Sequence, residues 1–82
     1  MPNRVPIILP QWGSIEIALI LNWFEDVGGK VKKGQPLLEV ETEKSVVEVQ
    51  APATGMVVEI ICHPDDEVQA GTVIGYMEVD DE

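Results

Sequence analysis

Eighty-two residues, 45% of them hydrophobic and together carrying a formal net charge of −10, describe one small globular domain spanning 1–82. A chain of this length buries roughly two-thirds or less of its unfolded surface, too little to enclose a deep catalytic cleft. Its acidity repels nucleic acid and anionic membranes, so neither is an expected partner.

Met1-Pro2-Asn3-Arg4 leads directly into strand-like sequence, without the pattern of a signal peptide. Arg4 to Leu9, β-branched and apolar, predicts a first strand that stops at Pro10. After the Trp12-Gly13-Ser14 loop comes Ile15 to Phe24, the longest apolar stretch. Glu16 and Asn22 interrupt it, and it is too short and too polar to span a bilayer. Gly28-Gly29, Gly34, Gly55 and Gly71 mark turns, and Pro36, Pro52 and Pro64 fall between the runs. No helical period is long enough to predict a helix. Many short strands at this spacing predict an all-β sandwich or barrel.

The chain also repeats itself. Lys30-Val31-Lys32-Lys33-Gly34 matches Glu67-Val68-Gln69-Ala70-Gly71, 37 residues later. The same offset lays Leu21-Asn22-Trp23 on Val58-Glu59-Ile60, Leu37 on Ile74, Val40 on Met77 and Glu41 on Glu78. Two copies are too few for a solenoid. They suit two matched sheets that cover each other's apolar faces about an approximate twofold axis, a flattened antiparallel sandwich of about eight strands. Trp23, which maps onto Ile60, is a predicted core residue.

Leu37 to Gln50 reads as a hairpin. With Glu43-Lys44 as a two-residue loop, Thr42 faces Ser45, Glu41 faces Val46, Val40 faces Val47, Glu39 faces Glu48 and Leu38 faces Val49. Alternation then puts Leu38, Val40, Val47 and Val49 on the buried side, and Glu39, Glu41, Val46 and Glu48 on the wet side. A slip of one residue would set carboxylates against core valines. Lys44 is thereby placed at the hairpin tip. Glu-Lys is a poor tight-turn pair, because neither residue favours positive φ; a tip that keeps it hints at function. A lysine that is itself a nucleophile needs burial or a cationic neighbour, and here Glu39, Glu41 and Glu43 surround it instead. Lys44 is a poor catalyst and a good exposed substrate for another enzyme. Lys30, Lys32 and Lys33 read as solvated charges.

Glu41-Thr42-Glu43-Lys44-Ser45-Val46-Val47-Glu48-Val49-Gln50-Ala51-Pro52-Ala53-Thr54-Gly55 closely resembles the lipoyl-attachment region of 2-oxo acid dehydrogenase acyltransferases. The usual form there is Glu-Thr-Asp-Lys, then Ala or Ser, a strand, and Ala-Pro-x-x-Gly. The resemblance continues through Trp23, the Gly29-to-Gly34 turn and Val73-Ile74-Gly75. It implies two four-stranded antiparallel sheets with quasi-twofold symmetry, and lipoate held as an amide on Lys44. Thr42, Glu43 and Ser45 would be read by a lipoate ligase or lipoyl transferase. The implied partners are a thiamine-diphosphate-dependent 2-oxo acid decarboxylase, an acyltransferase catalytic domain and dihydrolipoyl dehydrogenase, between which the lipoyl arm shuttles acyl groups and reducing equivalents. Trp12, Gly13, Ser14, Ile15, Glu16 and Ile17 occupy the loop that in this family contributes to recognition by the decarboxylase. This chain departs from the family there: the loop is shorter before Ser14, and Ile17 stands where an acid is common. The departure bears on which partner is recognised and leaves attachment at Lys44 intact.

Two other readings share the fold. A biotinyl carrier usually flanks its lysine with methionines, whereas Lys44 has Glu43 and Ser45; an unmodified sandwich would serve as a structural or adaptor module. A stand-alone enzyme is not expected, since no nucleophile–base pair, metal cluster or phosphate loop appears. Adjacent Cys62 and His63 cannot by themselves close a metal site. A lone cysteine makes no internal disulfide, consistent with the cytoplasm, or with the mitochondrial matrix for a domain excised from a eukaryotic precursor.

Overall fold

A computed structural model describes residues 2–80; Met1, Asp81 and Glu82 lie outside them. Eight strands account for the regular structure: β1 (Pro2–Ile8), β2 (Ile17–Trp23), β3 (Lys30–Val31), β4 (Pro36–Glu41), β5 (Val46–Gln50), β6 (Gly55–Ile60), β7 (Glu67–Gln69) and β8 (Val73–Asp80). They form two four-stranded antiparallel sheets, ordered β1-β8-β6-β3 and β5-β4-β2-β7. The all-β sandwich of paired sheets expected from the turn spacing is the observed architecture, and the described residues contain no helix.

Most connections carry the chain from one sheet to the other. Among the described strands only β4 and β5 are neighbours both in sequence and in a sheet. Their register is the one that the alternation predicts: Leu38 opposite Val49, Glu39 opposite Glu48, Val40 opposite Val47 and Glu41 opposite Val46. Leu38, Val40 and Val49 are buried, Val47 packs against them half-buried, and Glu41, Val46 and Glu48 are exposed. The inner faces meet in one core that takes Ile7 and Leu9 from the first strand and its end, Ala18 and Ile20 from β2, Val57 from β6, and Ile74 and Met77 from β8. Each fully buried aliphatic side chain contributes about 1.5–3 kcal/mol by leaving water. Trp23 only partly meets its expectation: the ring packs on this core but stays half-buried, with Nε1 donating to the Cys62 carbonyl at 2.9 Å. An indole N–H needs such a partner before the ring can be buried at all.

The repeat is visible in the backbone. Phe24 N–H donates to the Leu37 carbonyl at 2.7 Å, and Ile61 N–H donates to that of Ile74 at 2.9 Å. Gly28 N–H reaches the Val57 carbonyl, and Asp65 N–H reaches that of Ile20. The pairing shifts register between Ile20 and Asn22 in one sheet, and between Val57 and Glu59 in the other. The twofold also relates β1 to β5, which the constant offset of 37 does not reach. Gly71 N–H donates to Leu9 as Gly34 N–H donates to Ala51, and Leu9 and Ala51 stand 42 residues apart. The extra residues lie in the β1–β2 connection. There Trp12 and Ile15 pair with each other across a tight turn, so β2 begins at Ile17 rather than at Ile15 as the apolar run predicts.

Gly28 (φ 95°) and Asp65 (φ 74°) occupy equivalent left-handed positions. Nothing lies within 4 Å of where a Cβ would stand on Gly28, so only backbone strain opposes a side chain there. Gly28→Ala is expected to cost about 1 kcal/mol, and Gly28→Asp less, because a short polar side chain is already accepted at Asp65. Urea unfolding measures both; an alanine variant as stable as the parent would contradict this account.

Candidate functional site

The β4–β5 hairpin turns at Thr42-Glu43-Lys44-Ser45. No residue of this tip has positive φ, so it is not one of the primed turns that glycine or asparagine make. A threonine side chain joins the backbone in closing it. Thr42 N–H and the Thr42 hydroxyl both donate to the Ser45 carbonyl, each at 2.8 Å. The same hydroxyl oxygen accepts from Ser45 N–H at 3.1 Å and from Lys44 N–H at 3.3 Å. Thr42 is buried, while Glu43, Lys44 and Ser45 are exposed. Among the described residues the one ion pair joins Arg4 to Glu59, on the other sheet, so the Lys44 amine is unpaired. An exposed primary amine at a turn apex, with its backbone held, is a group that another enzyme can reach and acylate.

The β1–β2 loop lies beside this tip. Gly13, at φ 58°, makes its turn; Ile15 N–H donates to the Trp12 carbonyl, and the Gln11 side-chain amide donates to the carbonyls of Gly13 and Ile15. Ser14, Ile15, Glu16 and Ile17 then share a shallow depression of about 480 Å³ with Glu41, Thr42 and Glu43 of the hairpin. Of the loop residues predicted to recognise a partner, these four are brought to the lysine hairpin. Trp12 is half-buried against the core and supports the loop from beneath.

Three members of this surface were not singled out by the sequence. Leu19 and Glu67 line the same depression, and Gln11 clamps the loop. Leu19 pairs with Glu41 on one side and Glu67 on the other, so the three form one cross-strand row. Period-two alternation gives the face of a residue but not its neighbour in another strand. Glu16, Glu41, Glu43 and Glu67 leave the surface acidic around apolar Ile17 and Leu19. Lys30, Lys32 and Lys33 stand on β3 and the turn that follows it, in the other sheet.

A family model described as "Biotin-requiring enzyme", for domains that bear biotin or lipoate, matches residues 5–77. The chain belongs to this biotin/lipoyl family. It is a carrier domain of the lipoyl/biotinyl kind. Its relatives include the dihydrolipoyllysine-residue succinyltransferase component of the 2-oxoglutarate dehydrogenase complex of Rickettsia conorii, 42% identical over 73 residues that cover 88% of this chain and 18% of the relative. The dihydrolipoyllysine-residue acetyltransferase component of the pyruvate dehydrogenase complex of Corynebacterium glutamicum is 40% identical over 67 residues, 80% of this chain and 10% of that protein. The acetyltransferase component of the acetoin cleaving system of Cupriavidus necator is 31% identical over 77 residues, 93% of this chain and 21% of that protein. The carrier domain thus spans only about a tenth to a fifth of the length of these relatives.

No group of three or more His, Cys, Asp or Glu side chains among the described residues is placed to hold a metal. Burial, and after it the Asp66 carboxylate, pushes the Cys62 thiol above its ordinary value. The neutral thiol is therefore favoured in the folded domain, an advantage complete below the unfolded value and lost as pH rises through the folded one. Disulfide-reagent labelling of Cys62 near pH 8 is expected to be slower in the folded domain than in denaturant, with its rise displaced to higher pH. Equal rates in both would show a thiol that the fold does not shield.

Proposed function

We propose that the domain carries lipoate, rather than biotin, in amide linkage on Lys44, and presents it to the active sites of a 2-oxo acid dehydrogenase complex. The observation that carries the reading is the exposed, unpaired Lys44 amine at the apex of the single hairpin between consecutive strands. The relatives named above, all described as dihydrolipoyllysine-residue transferases, support lipoate. So do Glu43 and Ser45, which stand where a biotinyl carrier usually has methionines. The residues fit the group: one exposed amine suffices for an amide.

Attachment joins the Lys44 Nζ to the carbonyl carbon of lipoate activated as a mixed anhydride. The activating group leaves, the amine gives up a proton, and the lysine loses its positive charge. The bound dithiolane supplies a redox-active sulfur pair able to hold an acyl group. The chain's own residues do the presenting. The hairpin fixes where the arm starts, and tethering raises its effective concentration at each active site. The Ser14–Ile17 loop and the acidic hairpin face give a partner more to recognise than the arm alone. Partners on this reading are a lipoate ligase or lipoyl transferase, a thiamine-diphosphate-dependent decarboxylase, an acyltransferase catalytic domain and dihydrolipoyl dehydrogenase.

Co-expression with a lipoate ligase, followed by intact mass and peptide mapping, tests the assignment. One lipoyl group on Lys44 is expected, with unmodified Lys30, Lys32 and Lys33 and little labelling by a biotin ligase. Lys44→Arg should keep the parent's melting temperature and accept no group. Lipoate on another lysine would overturn the site; equal labelling by both ligases would overturn the choice of cofactor.

A further inference from the structure

We propose that Thr42 is the positioning residue for Lys44: its side-chain hydroxyl, rather than the turn type, sets the direction in which the lysine leaves the hairpin for its modifying enzyme. The proposal rests on reading Lys44 as the attachment point. Thr42 is the one buried polar side chain among the described residues, 8% exposed on a hairpin whose next three residues are exposed. A hydroxyl has one proton to donate and two lone pairs to accept with, and here all three are used: the proton goes to the Ser45 carbonyl, and the lone pairs face the N–H groups of Lys44 and Ser45. A tight hairpin would ordinarily close on backbone groups with glycine or asparagine at positive φ. Glu43 and Lys44 do not adopt positive φ. The hydroxyl substitutes for what that turn would have supplied, and it binds the lysine's own amide. A β-branched residue restricted at χ1 holds the oxygen in place. Partial burial sharpens the dependence, since a donor or acceptor stripped of its partner where little water reaches it costs more than the bond itself contributes.

Loss of the hydroxyl leaves Lys44 on the chain, exposed and chemically unchanged, with its backbone distributed over several poses. An enzyme that accepts one pose then meets a smaller competent fraction. Apparent affinity falls by that fraction, while turnover of the bound complex is kept.

The test uses the full chain as parent, Thr42→Val, which keeps the branched shape without the hydroxyl, and Thr42→Ser, which keeps the hydroxyl without the methyl. A lipoate ligase supplied with lipoate and ATP is the probe, and melting temperature, kcat and KM for incorporation, and amide hydrogen exchange at Lys44 and Ser45 are read for each. The valine variant is expected to show roughly a tenfold rise in KM at nearly unchanged kcat, with faster exchange at both amides. The serine variant is expected to keep the parent's KM and protection even if its melting temperature drops. A valine variant with the parent's KM overturns the proposal, as does a serine variant as impaired as valine, which would assign the effect to packing of the methyl group. A parent chain that takes no lipoate on Lys44 overturns the attachment reading itself, and the proposal with it.

Discussion

Sliding β4 by one residue against β5 would point Glu39 and Glu41 into the core and turn Leu38 and Val40 to water. Burying an unpaired carboxylate costs several kcal/mol, far more than any gain available at the tip. The observed pairing of Leu38 with Val49 and Val40 with Val47 is therefore held by the whole inner face, not by the turn. The geometry of the tip follows from this register. It makes Thr42 and Ser45 the closing pair, keeps Glu43 and Lys44 outside the sheet, and frees the tip from having to be a good turn. A pair with poor intrinsic turn propensity survives because the strands have already decided where the chain must reverse, and because the Thr42 hydroxyl supplies the missing hydrogen bonds.

The twofold of the fold carries the β4–β5 hairpin onto β8 and β1, which pair from Pro2 opposite Asp80 to Ile8 opposite Val73. Symmetry is broken most at the β1–β2 connection. Eight residues separate Leu9 from Ala18, where three separate Ala51 from Gly55. That added length forms the Trp12–Ile15 turn and builds the depression shared with the hairpin. A sandwich needs no such loop to bury its core. Its position beside Glu41, Thr42 and Glu43 gives the hairpin a neighbouring surface.

Much of this was legible in the amino-acid sequence, for definite physical reasons. Strand alternation has a period of two, so the Leu38–Val49 pairing and the location of Lys44 could be read from a single segment. The 37-residue repeat exposed the paired sheets because Gly34 and Gly71 end equivalent turns. The kinship of β1 with β5 was hidden, since the longer loop moves the offset to 42. The start of β2 was hidden, since Ile15 heads the apolar run yet pairs within its own loop. The cross-strand row that sets Leu19 beside Glu41 and Glu67 depends on which strands adjoin, and no local pattern encodes that. Thr42 could be placed opposite Ser45 from the register, but a side chain that takes over the bonds of a turn is a matter of three-dimensional geometry.

The central claim is that position in the fold, and not the local string of residues, makes Lys44 the carrier residue. Inserting one glycine between Glu43 and Lys44 tests it most directly, by comparing melting temperature and the rate of lipoate incorporation with the parent. The valines should hold the flanking strands in register, so the account predicts a folded variant whose incorporation falls steeply. Undiminished incorporation into an equally folded variant would contradict it.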